Sequence, residues 1–348
     1  MMDRGWMRTS TRHFKPYYSP DAEGSLRLDT NTNVLGPNPA ALDALLTSDG
    51  LEFNQYPSTY SLPLRQALAG FYGLGEENFV TGAGSDEILD VLFKTFTDKG
   101  DRTAMPYPSY SVYDYFCELN GGEPVLIDLD EDFQLDVDAF LDSDARMIMI
   151  PSPNNPTGNA FHRSDLIRII EGTDAPVVID EAYGEYHGDS FINLVKRYDN
   201  LIVTRTFSKA YAMAGLRIGY CACSPEAAEM MTCIRIPYSL NMVSERAAVA
   251  ALGDQEFIKR SVEMVERNRP MLEEALQALG FVCYPSDTNF ILARSPVDHR
   301  VLVEGLKDKG ILIRDFGHRR LLENCVRFTV GTDEMNLSLI EACEEIIG

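Results

Sequence analysis

The stretch that decides the fold reads TRTFSKAYAMAGLRIGY and covers residues 204–220. An apolar run, Leu201-Ile202-Val203, precedes it, and a second run extends over residues 217–223. Short apolar runs of this kind are typical of buried strands. The connection between them carries one lysine, Lys209, beside hydroxyl side chains. A lysine there is either a solvated surface cation or a placed nucleophile, because lysine is rarely buried unless it is paired or functional.

Composition restricts the class of protein. A chain of 348 residues with 45% hydrophobic residues can bury a large core, usually in two domains. With 31 Lys and Arg against 53 Asp and Glu, the net charge is −22, which argues against nucleic acid or an anionic membrane as a partner. No apolar run is long enough to span a bilayer, and the N-terminal segment lacks the apolar core of a secretory signal. We therefore expect a cytoplasmic protein.

Cysteine and histidine usage argues against disulfides and metal sites. The seven cysteines are an odd number, and most lie in apolar or helical stretches, which is typical of buried thiols in a reducing compartment. The five histidines are scattered and form no pair at metal-ligand spacing. We expect no metal.

From about residue 79, short apolar runs alternate with helical patterns. This alternation predicts an α/β fold with a mostly parallel central sheet flanked by helices. The predicted strands are 79–81, 102–105, 123–127, 147–150, 177–179, 201–204 and 217–223, and the predicted helices between them are 85–97, 109–119, 163–171 and 191–197.

After residue 225 the pattern changes. A helical region runs to about residue 279 with breaks at Pro237 and Gly253, and further elements follow it. These are predicted strands 281–284, 289–293, 311–314 and 326–329 with helices 297–309 and 333–347, a smaller α+β unit. The sequence thus predicts an N-terminal arm (1–40) that packs with the small domain, a large domain (41–235) and a small C-terminal domain (236–348).

In open α/β sheets, ligands bind beyond the carboxyl ends of the strands. The segment GAGSDE, residues 82–87, follows the first predicted strand and opens a helix. Small residues and a helix N-terminus suit a phosphate group. The same segment also fits an ordinary βα turn with Ser85 or Asp86 as the helix cap.

Other strand ends carry aromatic, amide and acidic groups. PYPSY (106–110), PSPNNPTG (151–158) and DEAY (180–183) each follow a predicted strand, and Lys209 follows 201–204. An acid directly after a buried run loses hydration and requires a cationic partner. This set matches a pyridoxal phosphate site, which needs a lysine amine, an acid for the ring nitrogen, and hydroxyls, an arginine and a helix N-terminus for the phosphate.

On these residues the chain resembles the fold-type I pyridoxal-phosphate aminotransferases of class I/II, and within them the histidinol-phosphate aminotransferase subgroup. The motifs are NNPTG (154–158), DEAY (180–183) and Ser208-Lys209 in this order, and the resemblance runs from Pro16-Tyr17 to VRFTVGT (326–332). Asn31-Thr32-Asn33 departs from the subgroup's usual Asn-Glu-Asn, and residues 107–110 depart modestly from its Pro-Thr-Tyr pattern.

The resemblance implies roles around the cofactor ring. Lys209 would be the Schiff-base lysine and proton shuttle. Asp180 would keep the pyridine nitrogen protonated. Asn155 and Tyr183 would hydrogen-bond the ring oxygen, and Tyr110 would stack on the ring.

It also implies how the phosphate and the substrates are held. The cofactor phosphate would be bound by Gly84, Ser85, Asp86, Thr206, Ser208 and Arg217. Tyr56 would reach the cofactor of a neighbouring subunit, which implies a homodimer with shared sites. Arg327 would bind the carboxylate of glutamate or 2-oxoglutarate. The substrate phosphate would be gripped by Tyr17, Tyr238 and Arg314.

The activity so implied is amino transfer from L-histidinol phosphate to 2-oxoglutarate, which gives imidazole-acetol phosphate and glutamate in histidine biosynthesis. Threonine-phosphate decarboxylation, which would use the same Lys, Asp and Asn, is one alternative. Amino transfer from aromatic or other amino acids, which would not need a substrate phosphate, is another. A pyridoxal-phosphate-dependent transcription regulator would need a basic DNA-binding domain, against which the net charge argues.

Overall fold

The computed structural model describes residues 6–16, 23–47 and 50–348. The strands in these ranges are β1 (Leu26–Arg27), β2 (Phe79–Gly82), β3 (Arg102–Tyr107), β4 (Glu123–Asp128), β5 (Met147–Pro151), β6 (Val177–Asp180), β7 (Leu201–Thr206), β8 (Gly219–Ala222), β9 (Val282–Cys283), β10 (Phe290–Arg294), β11 (Ile311–Leu312), β12 (Arg314–Asp315) and β13 (Cys325–Thr329). The α-helices are α1 (Pro39–Leu46), α2 (Leu62–Tyr72), α3 (Ser85–Phe96), α4 (Val112–Asn120), α5 (Val137–Leu141), α6 (Arg163–Gly172), α7 (Gly184–His187), α8 (Pro225–Ile234), α9 (Met242–Gly253), α10 (Gln255–Ala278), α11 (His299–Asp308) and α12 (Asp333–Ile347).

The largest sheet has seven strands in the order β2-β8-β7-β6-β5-β3-β4. The pairs from β7 through β4 are parallel, whereas β8 runs antiparallel to both β2 and β7. The predicted α/β fold with a mostly parallel sheet is confirmed. Because β8 is reversed, its first residue, Gly219, lies at the same edge of the sheet as the last residues of β2 and β7.

Among the predicted boundaries that were wrong, two have a clear structural cause. The strand predicted over 217–223 begins at Gly219, because Arg217 has a φ of +51°, a left-handed conformation that a strand excludes. The helix predicted over 109–119 begins at Val112. The Ser109 hydroxyl donates instead to Asn154 Oδ1 at 3.0 Å, which holds this segment against the loop after β5.

The central strands are buried on both faces. In β6, Val177 and Ile179 pack into one apolar cluster while Val178, which points the other way, packs into a second. Helix α6 covers the first face through Leu166, and α3 covers the second through Leu92. Each such side chain contributes roughly 1.5–3 kcal/mol on burial, so this double-sided core holds the ends of β5, β6 and β7 in fixed positions.

The C-terminal part of the chain forms a four-stranded antiparallel sheet in the order β12-β13-β10-β9, packed with α11 and α12. This is the predicted smaller α+β unit. The strand predicted over 311–314 is two short strands with different partners, because the N-terminal segment supplies β1 as a parallel partner for β11 while β12 pairs with β13. No helix among the described residues is both long and apolar enough to cross a membrane.

An ion pair links the segment between β6 and β7 of the large sheet to the loop between β9 and β10 of the C-terminal sheet. His187 ends α7, and Asp287 lies in the loop between β9 and β10, with 3.7 Å between His187 Nδ1 and Asp287 Oδ1. The carboxylate raises the pKa of the His187 imidazole above 6.5, and the imidazole lowers the pKa of Asp287 below 3.8. The histidine's contribution to stability is complete below pH 6.5 and is lost as pH rises through its raised pKa. The aspartate's contribution is present above pH 3.8 and is lost as pH falls through its lowered pKa.

We predict that His187→Ala destabilises the protein more at pH 5.5 than at pH 8.5. The loss should stay below about 1 kcal/mol, because both side chains are partly exposed and screened. Thermal unfolding midpoints of the variant and the wild type at the two pH values measure it. His162→Ala, at an exposed histidine with no ion pair among the described residues, is the control. Equal losses at both pH values would contradict the prediction.

Candidate active site

A cavity lies at the carboxyl ends of the central strands. In the register of the sheet, Pro151 of β5 pairs with Asp180 of β6, and Asp180 pairs with Thr204 of β7, so the loops that follow these strands meet at one edge. The cavity is lined by Ser85, Asp86, Tyr110, Tyr113, Pro151, Pro153, Asn155, Asp180, Ala182, Tyr183, Thr206, Ser208, Lys209 and Arg217. The structure thus brings together ten residues to which sequence analysis assigned a site role, from separate parts of the chain.

One end of the cavity is built from the start of α3 and the segment 206–217. Gly84 precedes α3 with a φ of +88°, a conformation that favours glycine. Arg217 Nη2 lies 2.9 Å from Asp86 Oδ2, and its Nη1 lies 3.5 Å from Ser208 Oγ. A guanidinium, hydroxyl groups and free backbone N–H groups at the start of a twelve-residue helix suit a phosphate dianion.

Gly219 allows β8 to approach this turn closely. A Cβ atom at this position would lie 2.3 Å from the backbone nitrogen of Ser85 and 2.5 Å from the carbonyl carbon of Gly84. Both atoms belong to the backbone, so no rotamer change could relieve the clash.

The floor of the cavity carries a buried carboxylate. Asp180 is 3% exposed and accepts hydrogen bonds from the Tyr113 hydroxyl at 2.7 Å and the Ala182 N–H at 3.1 Å. Burial raises the pKa of this carboxyl group. Among the described residues, no cationic side chain lies within ion-pair distance of Asp180. The predicted cationic partner is therefore not supplied by this part of the chain.

A neighbouring arginine, Arg205, is paired with other carboxylates. Arg205 of β7 binds Glu181 at 2.9 Å and Glu185 at 2.7 Å, and all three side chains are buried. Glu181 also accepts from the Phe191 N–H at 2.6 Å. Arg205 is thus paired with Glu181 and Glu185 and not with Asp180, and these ion pairs hold the segment that follows β6 against β7.

The segment 151–158 contains two asparagines with different contacts. Asn154 Nδ2 donates to the Pro108 carbonyl at 3.0 Å and to Thr157 Oγ1 at 2.8 Å, which joins this loop to the one after β3. Asn155 lines the cavity, and its Oδ1 accepts from Arg327 Nη1 at 2.6 Å. That bond orients the Asn155 amide so that its Nδ2 group remains as the donor for a ligand.

Arg327 itself is a buried cation without a carboxylate partner among the described residues. It is 6% exposed, its Nη2 donates to the Asp29 carbonyl at 2.7 Å, and its Nε has no hydrogen-bond partner. Burial lowers the pKa of Arg327 to about 10, so the group stays charged at neutral pH. A desolvated guanidinium beside the cavity is suited to a planar carboxylate.

The N-terminal segment closes the cavity near Lys209. Lys209 Nζ donates to the Thr30 carbonyl at 3.0 Å and lies 5.6 Å from the centre of the Tyr183 ring. The Tyr183 hydroxyl accepts from Asn31 Nδ2 at 2.9 Å. The amine and the phenol thus lie side by side, and the preceding arm contacts both.

The remaining predicted residues lie outside the cavity lining. Gly84 lies against the Arg217 guanidinium, since a Cβ atom at Gly84 would lie 2.6 Å from Arg217 Nη2. Tyr56 and Tyr238 stack on each other with 4.9 Å between ring centres, and both are exposed. Arg314 pairs with Arg327 across β12 and β13. Tyr17 lies outside the described residues.

The structure brings into the site two residues that sequence analysis did not name, Tyr113 and Thr30, and also Asn31, which sequence analysis named only as part of Asn31-Thr32-Asn33. Tyr113 stands three residues after Tyr110, and the two rings lie 5.5 Å apart and nearly perpendicular. Because both fall in the helix predicted over 109–119, this spacing could have indicated Tyr113. Thr30 carries no local signal, because it reaches the site only through the folding of the arm.

The comparisons with known proteins agree with this geometry. The family model described as aminotransferase class I and II matches residues 23–343. The chain belongs to this family. A histidinol-phosphate aminotransferase of Thermococcus gammatolerans is 37% identical over 97% of this chain and 96% of its own length.

Two solved structures of this fold illustrate the range of activities among its relatives. The histidinol-phosphate aminotransferase of Sinorhizobium meliloti, solved with pyridoxal-5'-phosphate, has a TM-score of 0.86 at 28% identity and covers 92% of this chain and 90% of its own. The L-threonine-O-3-phosphate decarboxylase of Porphyromonas gingivalis has a TM-score of 0.82 at 25% identity and covers 92% and 98%. Structures similar to this chain therefore include both an aminotransferase and a decarboxylase.

We predict that Gly219→Ala displaces the turn at residues 84–85 and lowers the thermal unfolding midpoint by several degrees. The physical reason is the backbone clash described above, which costs roughly 1–3 kcal/mol or more. Gly215→Ala is a matched control, because a Cβ there has nothing within 4 Å. Equal midpoints for the two variants would show that β8 does not approach α3 this closely.

We also predict that Tyr113→Phe destabilises the protein by about 1–3 kcal/mol, because it leaves a buried carboxylate oxygen of Asp180 without its donor. The loss should be greater at pH 8 than at pH 5, since the ionised form of Asp180 depends most on that hydrogen bond. Chemical denaturation measures it, and Tyr115→Phe, at a more exposed tyrosine of the same helix, is the control. The effect should shrink in an Asp180→Asn background, and a full loss there would contradict the proposed contact.

Proposed function

We propose that this protein is a pyridoxal-phosphate-dependent aminotransferase that transfers the amino group of L-histidinol phosphate to 2-oxoglutarate. The observation that carries the proposal is Asp180, a buried carboxylate that has no cationic partner among the described side chains and lies in the same cavity as Lys209. A protonated pyridine nitrogen is the cation that such an acid requires. The names of the relatives support histidinol phosphate as the amino donor.

The residues of the cavity fit pyridoxal phosphate at its ring nitrogen, its ring oxygen and its phosphate group. Asp180 would face the ring nitrogen, and Asn155 and Tyr183 would donate to the ring oxygen. Tyr110 would contact the ring, and Ser85, Thr206, Ser208 and Arg217 would hold the phosphate, with Gly84 and Asp86 shaping the turn. When bound, pyridoxal phosphate supplies an aldehyde for a lysine amine and a ring that withdraws electrons from the carbon that loses its proton.

The chain's own residues then perform the proton chemistry. Lys209 Nζ would take the proton from the α-carbon of the amino donor and deliver it to the aldehyde-derived carbon of the cofactor, so Lys209 would act first as general base and then as general acid. Asp180 would stabilise the positive charge at the ring nitrogen. Because Asp180 is buried and held by Tyr113, water cannot compete for the carboxylate.

The surroundings of Arg327 support the proposal that 2-oxoglutarate is the amino acceptor. Its guanidinium is desolvated, contacts the cavity residue Asn155 and has no carboxylate partner in the described chain. A substrate carboxylate would satisfy it in a bidentate geometry. We assign the grip on the substrate phosphate to Tyr17, Tyr238 and Arg314.

We further propose a homodimer with shared active sites. The segments around Tyr56 and Tyr238 lie side by side, and apolar side chains are exposed there, with Phe53 at 69%, Tyr56 at 81% and Ile236 at 68%. Exposed apolar clusters of this kind are typical of interfaces. Tyr56 would reach the cofactor of the partner subunit. The proposed domains are the arm (1–40), the large domain (41–235) and the small domain (236–348), and the seven free thiols support a cytoplasmic location.

A second candidate function is threonine-phosphate decarboxylation, which the structural similarity to the Porphyromonas gingivalis enzyme favours. It would use the same Lys209, Asp180 and Asn155. It would release CO₂ and would not require 2-oxoglutarate, which separates it from amino transfer.

We predict that the purified protein, loaded with pyridoxal phosphate, forms glutamate from 2-oxoglutarate faster with L-histidinol phosphate than with aromatic amino acids or threonine phosphate. Parallel assays of glutamate formation and CO₂ release measure both candidate activities. Lys209→Ala should reduce turnover at least about a hundred-fold, whereas Lys196→Ala, at a surface lysine, should not. Release of CO₂ from threonine phosphate without 2-oxoglutarate would instead establish the second candidate.

A further inference from the structure

Asn31 is the most completely hydrogen-bonded residue of the N-terminal arm near the cavity. Its side chain is 1% exposed, and its φ of +54° lies in the left-handed region, which asparagine tolerates better than most residues. Its backbone carbonyl accepts from Asn289 Nδ2 at 3.0 Å, and its backbone N–H donates to Thr329 Oγ1 at 3.1 Å. The residue is therefore held by the C-terminal sheet, not by its own chain neighbours.

The side-chain amide of Asn31 has both ends occupied. Oδ1 accepts from the Thr329 hydroxyl at 3.3 Å, and Nδ2 donates to the Tyr183 hydroxyl oxygen at 2.9 Å. Thr329 is fully buried, so its hydroxyl has few other partners. In this arrangement Thr329 orients the amide, and the amide in turn presents a donor to Tyr183.

The consequence concerns the proton of the Tyr183 hydroxyl. A hydroxyl oxygen that accepts a hydrogen bond keeps its proton for a different acceptor. Among the described residues, Tyr183 makes no other side-chain hydrogen bond, and its side chain lines the cavity beside Lys209. An accepted bond also polarises the hydroxyl and strengthens the bond that it donates.

We propose that Asn31 is a positioning residue that directs the Tyr183 hydroxyl proton into the cavity, toward the ring oxygen of the bound cofactor. The chain of contacts runs from Thr329 of the C-terminal sheet through Asn31 to Tyr183 of the large sheet. This inference rests on the proposed function, because it requires pyridoxal phosphate in the cavity.

The test reads the visible absorbance of the bound cofactor as a function of pH, without substrate. Tyr183→Phe removes the hydrogen-bond donor to the ring oxygen of the cofactor. The negative charge on that oxygen is then stabilised mainly by the neighbouring proton of the bound cofactor, so the cofactor loses that proton only at higher pH. The absorbance midpoint of Tyr183→Phe should therefore move to higher pH. Asn31→Gly, which keeps the left-handed backbone available, should move it the same way by on the order of half a pH unit.

A double-mutant cycle isolates the contact. In a Tyr183→Phe background, Asn31→Gly should add no further shift. Asn33→Gly is the matched control, since Asn33 Nδ2 binds the Ala210 carbonyl at 2.9 Å and Ser261 Oγ at 2.7 Å but does not touch Tyr183. It should leave the midpoint unchanged even if the arm is loosened.

A second variant tests the contact between Asn31 and Thr329. Thr329→Val removes the hydroxyl that orients the Asn31 amide with little change in shape, and should also raise the midpoint. This variant keeps the test decisive if Asn31→Gly does not fold. An Asn31→Gly midpoint equal to that of wild type, or a shift that persists undiminished in the Tyr183→Phe background, would overturn the inference. A wild-type protein that shows no visible band with pyridoxal phosphate would instead overturn the proposed function itself.

Discussion

The structure depends on one electrostatic constraint, a carboxylate buried at the end of a central strand with no cationic side chain of the described residues within ion-pair distance. Asp180 is placed there by β6, whose residues are all buried, and it is stabilised by the Tyr113 hydroxyl and the Ala182 N–H. The arginine of the neighbouring strand is bound to Glu181 and Glu185. An isolated buried carboxylate is costly, so the fold retains a charge whose natural partner is a ligand cation.

The polar groups in and beside the cavity come from three parts of the chain. The large sheet supplies Asp180 and Lys209, the C-terminal sheet supplies Arg327, and the arm supplies Thr30. Arg327 binds both Asn155 and the Asp29 carbonyl, so one guanidinium connects all three parts. The site exists only where these parts meet, which explains why the arm crosses to the C-terminal sheet before it reaches the cavity.

Much of the fold could be predicted from local patterns, because parallel strands buried on both faces read as continuous apolar runs. Once the strands were located, the residues that follow them could be predicted as site residues, because the carboxyl ends of parallel strands meet at one edge of the sheet. The errors lie where long-range contacts decide the backbone. Arg217 is left-handed and outside β8, and the segment 311–315 divides between two partners because β1 arrives from the arm.

The sequence by itself determined the sheet, the family and the order of lysine, acid, amide and glycine-rich turn along the chain, because each depends on residues close together in sequence. Only the tertiary structure decided which hydroxyl holds Asp180, which carbonyl receives the Lys209 amine and which asparagine contacts Tyr183. Those contacts join residues 67, 179 and 152 positions apart. No local pattern specifies partners at such separations, since they are set by the packing of the arm and the two sheets around a common cavity.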